Sequence, residues 1–227
     1  MNEQIDKIYE RKTALAAWVV SNCNLTPGSR TRRRLSDVLV EEGLNMDRRG
    51  GCFRSSRPIF GSLRDFVSGY KFYMAFENSW HCRDYVTEKA TVNALMSGTV
   101  PVIYGATKED LLEALPPNSF ITADDFETPA LLVAYLKHLD KNETEYKKYL
   151  QWRTLDFKDM PNYMREANFC QLCRVLHGIN VDDLFNSAYH ERYADKPLFN
   201  HYPSPRKSIS IRDWYYGSEN RECLPVF

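Results

Sequence analysis

Tyr70–Gly105, YKFYMAFENSWHCRDYVTEKATVNALMSGTVPVIYG, holds a strand, a polar turn, the charged start of a helix and a second strand in one unbroken run. Lys71–Phe76 is aromatic and apolar, as a buried parallel strand requires, and Thr99–Tyr104 is a β-branched run suited to pair with it. Between them Val86, Ala90, Asn93, Ala94 and Ser97 fall on one small-residue face at helical spacing, with Thr87 as N-cap and Gly98 where a C-cap glycine belongs. Glu88 and Lys89 then lie in the first turn, where free backbone N–H groups and the positive end of the helix dipole favour an anion. A lysine beside such a site points to phosphate, so the run reads as a phosphate-binding βαβ crossover.

Working outward, Ala14–Val20 reads as a buried strand, Pro27-Gly28 as loop, 31–42 as helix and Met46–Arg48 as a short strand. A Gly/Ser/Arg loop over 50–58 and a short helix over 61–68 lead into Lys71. Beyond Gly105, a helix over Lys108–Ala114, a loop at Pro116-Pro117-Asn118 and a strand over Ser119–Thr122 precede an amphipathic stripe of Leu131, Leu132, Tyr135, Leu136 and Leu139. Residues 143–176 read as helical, with Tyr146, Tyr149, Leu150 and Trp152 available for packing. Strands alternating with helices at this spacing predict an α/β fold with a doubly wound, Rossmann-like parallel sheet. The chain divides into an N-terminal segment 1–13, a nucleotide-binding domain 14–178 and an irregular tail 179–227 rich in Tyr, Pro, Arg and Ser.

Composition excludes several classes. With 227 residues, 43% hydrophobic and 26% charged, the chain is long enough for one good core. Thirty basic and thirty acidic residues cancel, so no global field calls for nucleic acid or an anionic membrane. Locally, Arg30, Arg32, Arg33 and Arg34 form a basic cluster, with Arg48, Arg49, Arg54 and Arg57 downstream. No run approaches the roughly 20 apolar residues of a membrane span, and MNEQIDKIYERK has no leader pattern, so the expectation is a chain with no anchor of its own. Of six cysteines, Cys170-x-x-Cys173 fits half a zinc site or a disulfide. Asn24-Leu-Thr and Asn142-Glu-Thr are N-glycosylation sequons.

AFENS (75–79), DYVTEK (84–89) and NALMSGTVPVIYG (93–105) together resemble the signature of the α-1,3-fucosyltransferases. The likeness extends to WVVSNC (18–23), MDRRGGC (46–52), SFITADDF (119–126) and YLQWR (149–153), covers roughly residues 16–176, and has a fainter echo at Asp213-Trp214-Tyr215. The resemblance implies the C-terminal half of a GT-B glycosyltransferase that inverts at the fucose carbon of GDP-fucose and transfers it, in α-1,3 linkage, to a glycan or glycoprotein acceptor. It implies a luminal domain in the Golgi cisterna membrane. It also implies that the spanning helix and the N-terminal acceptor domain, which carries the catalytic base, lie outside this chain.

Residue by residue, the resemblance assigns the diphosphate to Arg32, with Arg30 as the alternative because the loop in this chain is long, and to Lys89. It gives the ribose to Glu88 and the walls of the donor pocket to Asn78 and Tyr85. Arginine forks, a lysine and a helix start suffice to hold a diphosphate, so no cofactor or metal is required, although a divalent cation could still stimulate transfer. The family's C-terminal CxxC implies a Cys170–Cys173 disulfide, in keeping with an oxidising lumen. Glu77, at the end of a central strand, is a candidate to steady the fucose or to hydrogen-bond its own turn. His81, beside Trp80, is a tempting base that the family does not use, and Asp124-Asp125 reads as a strand-edge turn rather than a metal motif. Two other functions compete: a nucleotide-sugar-binding module without activity, and a nucleic-acid binder built on Arg30–Arg34.

Overall fold

The computed structural model describes residues 3–53, 58–79, 82 and 85–155. The chain divides into two compact units, and all of the described helices and strands belong to the first, whose continuous stretch runs from Met1 to Thr154. A parallel five-stranded sheet has the order β2-β1-β3-β4-β5, built from β1 (Ala14–Val19), β2 (Met46–Arg49), β3 (Tyr70–Phe76), β4 (Val100–Tyr104) and β5 (Ile121–Thr122). Around it lie α1 (Glu3–Glu10), α2 (Pro27–Glu41), α3 (Leu63–Ser68), α4 (Lys108–Ala114), α5 (Pro129–Lys141) and α6 (Glu143–Lys148). The β3–β4 crossover is a π-helix over Lys89–Ala94 that tightens into a 3-10 turn over Leu95–Ser97.

Side-chain alternation along the strands sorts the sheet into two buried faces. Ala16, Trp18, Phe72, Met74, Phe76, Val100 and Val102 share one cluster with Leu39 of α2, Leu132 and Leu136 of α5, and Tyr146 of α6. The alternate positions Ala17, Tyr73, Ala75 and Ile103 are equally buried. They face the side where α3 and the crossover pack. Ala90 and Ala94 are fully enclosed there, so the small-residue face read from sequence is what lets the crossover lie close to β3.

Several boundaries differ from expectation for identifiable reasons. Helix α2 begins at Pro27 rather than at 31: Thr26 caps it in a reciprocal box with Ser29, and Pro27-Gly28, read as loop, is the helix's first turn. Thr87 caps nothing, because the crossover opens at Glu88 without any side-chain cap and Thr87 turns instead to Glu77. Leu131 of the α5 stripe is 49% exposed, while Val133 takes the inward place. Within 143–176, α6 stops at Lys148 and a 3-10 turn spans Gln151–Thr154; the remainder lies outside the described residues. Segment 1–13 contributes α1, whose Ile5 is buried in the main cluster.

Gly98 ends the crossover at φ +73, and a Cβ there would stand 2.9 Å from Ile8 Cγ2 of α1. Gly98→Ala is therefore expected to cost roughly 1–2 kcal/mol from the left-handed backbone alone. Urea unfolding at constant m-value reads the loss, and an unchanged midpoint would contradict it.

Candidate functional site at the sheet's switch point

The chain leaves β1 in one direction towards β2, while β3 lies on β1's other flank. The sheet order therefore reverses at β1 and β3, and open α/β sheets bind ligands beyond the carboxyl ends of such a pair. Every described donor-site candidate gathers at this end. The β1–α2 loop and the first turns of α2 supply one wall, and the β3 exit and crossover start supply the other.

Arg32, from the second turn of α2, is only 2% exposed. Its Nη1 donates to the Phe76 carbonyl at 2.7 Å and its Nη2 to the Asn22 carbonyl at 2.8 Å, so one planar guanidinium spans the carboxyl ends of β3 and β1. It lies over the Trp18 ring at 5.9 Å, and its Nε is buried without a partner among the described residues. Burial pushes its pKa down, against the stabilising charge of Glu77 and the nearby hydroxyls of Tyr85 and Tyr73. Arg32 is thus no exposed helix arginine. Arg30, the alternative, stands exposed on the rim and reaches only the Asn24 carbonyl, at 3.5 Å.

Glu77 follows directly on β3 and is 2% exposed. Its Oε1 accepts from the Thr87 backbone N–H at 3.1 Å and from the Thr87 hydroxyl at 2.6 Å, while its Oε2 accepts from Lys89 Nζ at 2.8 Å. Lys89 also donates to Thr87 Oγ1 at 2.7 Å. The carboxylate is therefore turned inward, holding the lysine in place across the mouth of the crossover. Lys89 is held by Glu77 and Arg32 by the carbonyl of the preceding Phe76, so neither cation swings free into solvent. Glu88, 60% exposed, is the outward member of the pair and lies 3.5 Å from Lys89 Nζ.

Asn78 is gripped through its backbone. Its carbonyl accepts the Thr26 hydroxyl at 2.8 Å, and a Cβ on Gly28 would sit 2.2 Å from that oxygen, so only glycine lets α2 approach so closely. The Asn78 Oδ1 is buried and unpartnered among the described residues, an acceptor in want of a donor. Tyr85 is half-buried, with its backbone N–H donating to the Cys82 carbonyl at 3.3 Å. A disulfide between Cys23 and Cys52, with Cα atoms 5.4 Å apart, ties the loop after β1 to the loop after β2 and stiffens the same rim.

Sequence reasoning missed the Cys23–Cys52 pairing, the clamp made by Thr87, and Tyr73. The last is 1% exposed, with its hydroxyl pushed up to about 12 by burial against a hydrogen bond from Asn93. The position of Thr87 inside the DYVTEK motif was the available signal for its role. Asp124 and Asp125 form a 3-10 turn after β5, and Asp125 pairs with Lys108 at 2.6 Å. Trp80, His81, Cys170, Cys173 and the Asp213-Trp214-Tyr215 echo lie outside the described residues, as do Arg54 and Arg57. A separate cavity of about 280 Å³, lined by Ala14, Leu15, Ala16, Asn45, Met46, Asp47 and Tyr70, opens at the opposite, amino end of the strands. Its carboxylate, Asp47, is already engaged by the Tyr70 hydroxyl at 2.7 Å and by Arg49 at 2.6 Å, which makes it a poor host for an anion.

The family model for the C-terminal region of glycosyltransferase family 10, the fucosyltransferases, matches residues 9–190. The chain is 36% identical over 209 residues to glycoprotein 3-alpha-L-fucosyltransferase A of Drosophila melanogaster, covering 91% of this chain and 36% of that protein. It is 40% identical over 164 residues to a 3-galactosyl-N-acetylglucosaminide 4-alpha-L-fucosyltransferase of Pan troglodytes, covering 71% of this chain and 41% of the relative. The chain thus spans well under half the length of these curated relatives. Among solved structures, a crystal structure of an alpha1,3-fucosyltransferase with GDP-fucose superposes at TM-score 0.58 and 24% identity, over 76% of this chain and 49% of that one. One of an alpha1,3-fucosyltransferase with GDP gives 0.50 at 28% identity, over 62% and 38%.

The Glu77–Lys89 pair offers a direct check on the geometry. Lys89→Met strands a buried carboxylate and is expected to destabilise by about 3 kcal/mol. Combining it with Glu77→Gln is expected to recover roughly 1–2 kcal/mol relative to the sum of the single changes. Strict additivity in urea unfolding would mean that the two groups do not meet.

Proposed function

The chain belongs to glycosyltransferase family 10, the fucosyltransferases, and from that premise we propose that the described unit is the donor-binding half of an enzyme that transfers fucose from GDP-fucose to a glycan acceptor, inverting the anomeric carbon and forming an α-1,3 linkage. The observation that carries this reading is that two cations meet at the β1/β3 switch point: Arg32, bonded to the Phe76 carbonyl, and Lys89, paired with the adjacent Glu77.

The chemistry asks for three things. The acceptor hydroxyl attacks the anomeric carbon from the face opposite the nucleotide, the bond from that carbon to the β-phosphate oxygen breaks, and the hydroxyl proton passes to a base. The family resemblance puts that base in the N-terminal domain. Charge grows on the β-phosphate as the bond breaks, and fixed cations aimed there stabilise the transition state more than the bound donor. Lys89 is pre-positioned for this by Glu77 and Thr87, so it spends no reorganisation energy at the moment of reaction. Arg32 has N–H groups beyond those bound to Asn22 and Phe76, and these serve the diphosphate. Glu88, outward-facing, is suited to accept from ribose hydroxyls. Asn78 Oδ1, an acceptor without a partner among the described residues, suits a hydroxyl of the donor. Glu77 is a positioning residue in this scheme, which explains its two occupied oxygens.

We place this unit in the Golgi lumen. The Cys23–Cys52 disulfide favours an oxidising compartment.

Calorimetric titration with GDP and with guanosine tests the proposal. GDP is expected to bind saturably and guanosine far more weakly, and Lys89→Ala is expected to cost roughly 2–5 kcal/mol of GDP affinity. A folded protein that ignores GDP would overturn the reading.

A further inference from the structure

The two sequons lie at opposite ends of the sheet, and their threonine hydroxyls are in opposite states: Thr26 is engaged, whereas Thr144 is exposed; of the asparagines, Asn24 is exposed and Asn142 half-buried. Asn24 follows β1 at the switch-point rim, next to Cys23 of the disulfide. The hydroxyl of its sequon, Thr26 Oγ1, is committed twice: it donates to the Asn78 carbonyl at 2.8 Å and accepts from the Ser29 N–H at 3.1 Å. Asn142 stands where α5 gives way to α6. Lys71, at the amino end of β3, donates to the neighbouring Asp140 carbonyl at 2.7 Å, and its own carbonyl accepts the Tyr146 hydroxyl at 2.8 Å, which fixes this junction at the end of the sheet away from the switch point. Asn142 caps α6 through Oδ1, which accepts from the Glu145 N–H at 3.1 Å. Its Nδ2 has no partner among the described residues, and Glu143 and Thr144 are exposed.

We propose that Asn142 is the N-glycan attachment site of the folded protein, whereas a glycan on Asn24 would stand over the donor cleft and hinder nucleotide binding. Attachment forms a bond from Nδ2 to the anomeric carbon of a lipid-diphosphate-linked oligosaccharide, breaks that carbon's bond to the diphosphate, and releases one Nδ2 proton. The amide oxygen keeps its lone pairs throughout, so a glycosylated Asn142 still caps α6. At Asn24 the sequon hydroxyl is sequestered once α2 forms, so the site closes as the chain folds. The Asn142 half stands on geometry alone; the Asn24 half rests on the donor-binding reading.

The full chain, secreted from eukaryotic cells behind a cleavable leader, provides the test. Deglycosylation in heavy-oxygen water followed by peptide mass spectrometry is expected to mark Asn142 and to leave Asn24 largely unmarked. Thr144→Ala, which destroys the sequon but spares the cap, is expected to remove one glycan's mass and leave GDP affinity unchanged, while Asn24→Gln leaves the mass unchanged. Any minor glycoform carrying sugar on Asn24, separated by lectin chromatography, is expected to bind GDP at least about tenfold more weakly. An unmarked Asn142 in the secreted, folded protein overturns the site. Asn24 marked in most molecules with normal GDP affinity overturns the asymmetry. Failure of every form to bind GDP would count against the donor reading while leaving the occupancy result intact.

Discussion

A guanidinium buried at the fork of a parallel sheet sets the terms for this fold. Where β1 and β3 end, the backbone turns away in two directions and the last carbonyls lose their ladder partners. Leaving a buried carbonyl unpaired costs about 1–3 kcal/mol. Arg32 answers the last carbonyl of β3, at Phe76, together with that of Asn22 in the loop after β1, and does so from a helix that can lie close enough only because residue 28 is glycine. The guanidinium is itself desolvated, and that burial pushes its pKa down. Its charge is offset by Glu77, by the Trp18 ring and, in the proposed complex, by the donor's diphosphate. A structural requirement of the sheet thus deposits a cation where an anionic donor would arrive.

The second wall follows from the same residue pair. Glu77 needs partners because it is buried, and Thr87 and Lys89 supply them across the start of the crossover. The crossover winds as a π-helix over Lys89–Ala94, with Glu88 outward before it and Lys89 held across its mouth by Glu77 and Thr87. Wide π turns are frequent at functional sites because they re-aim side chains without breaking the helix. Packing, charge pairing and site geometry are therefore one arrangement seen at three scales.

Much of this was legible in the residues. Long apolar or β-branched runs placed β1, β3 and β4 to within a residue, and β5 begins two residues later than its sequence suggested. Gly98 and the whole of α4 fell where pattern put them. What pattern could not reach were features set by tertiary contact. An arginine reads as polar whether it is exposed or clamped between strand ends, so the burial of Arg32 has no periodic signature. Pro27-Gly28 carries the composition of a loop, and only the reciprocal Thr26–Ser29 bonds reveal a helix start. Thr87 looks like a cap because its neighbours form a helix; the competing acceptor, Glu77, is ten residues away and visible only in three dimensions. The Cys23–Cys52 link needed the two loops brought side by side.

Two places compete for the ligand, and they lie at opposite ends of the strands. One is the switch point with its two cations; the other is the cavity beside Asp47 and Tyr70. Hydrogen–deuterium exchange with and without saturating GDP separates them most directly. Slowed exchange confined to residues 20–32 and 76–90 is the predicted result. Protection that maps instead to 14–16, 45–47 and Tyr70, or that is absent from both ends while GDP is bound, would contradict the donor site at the switch point.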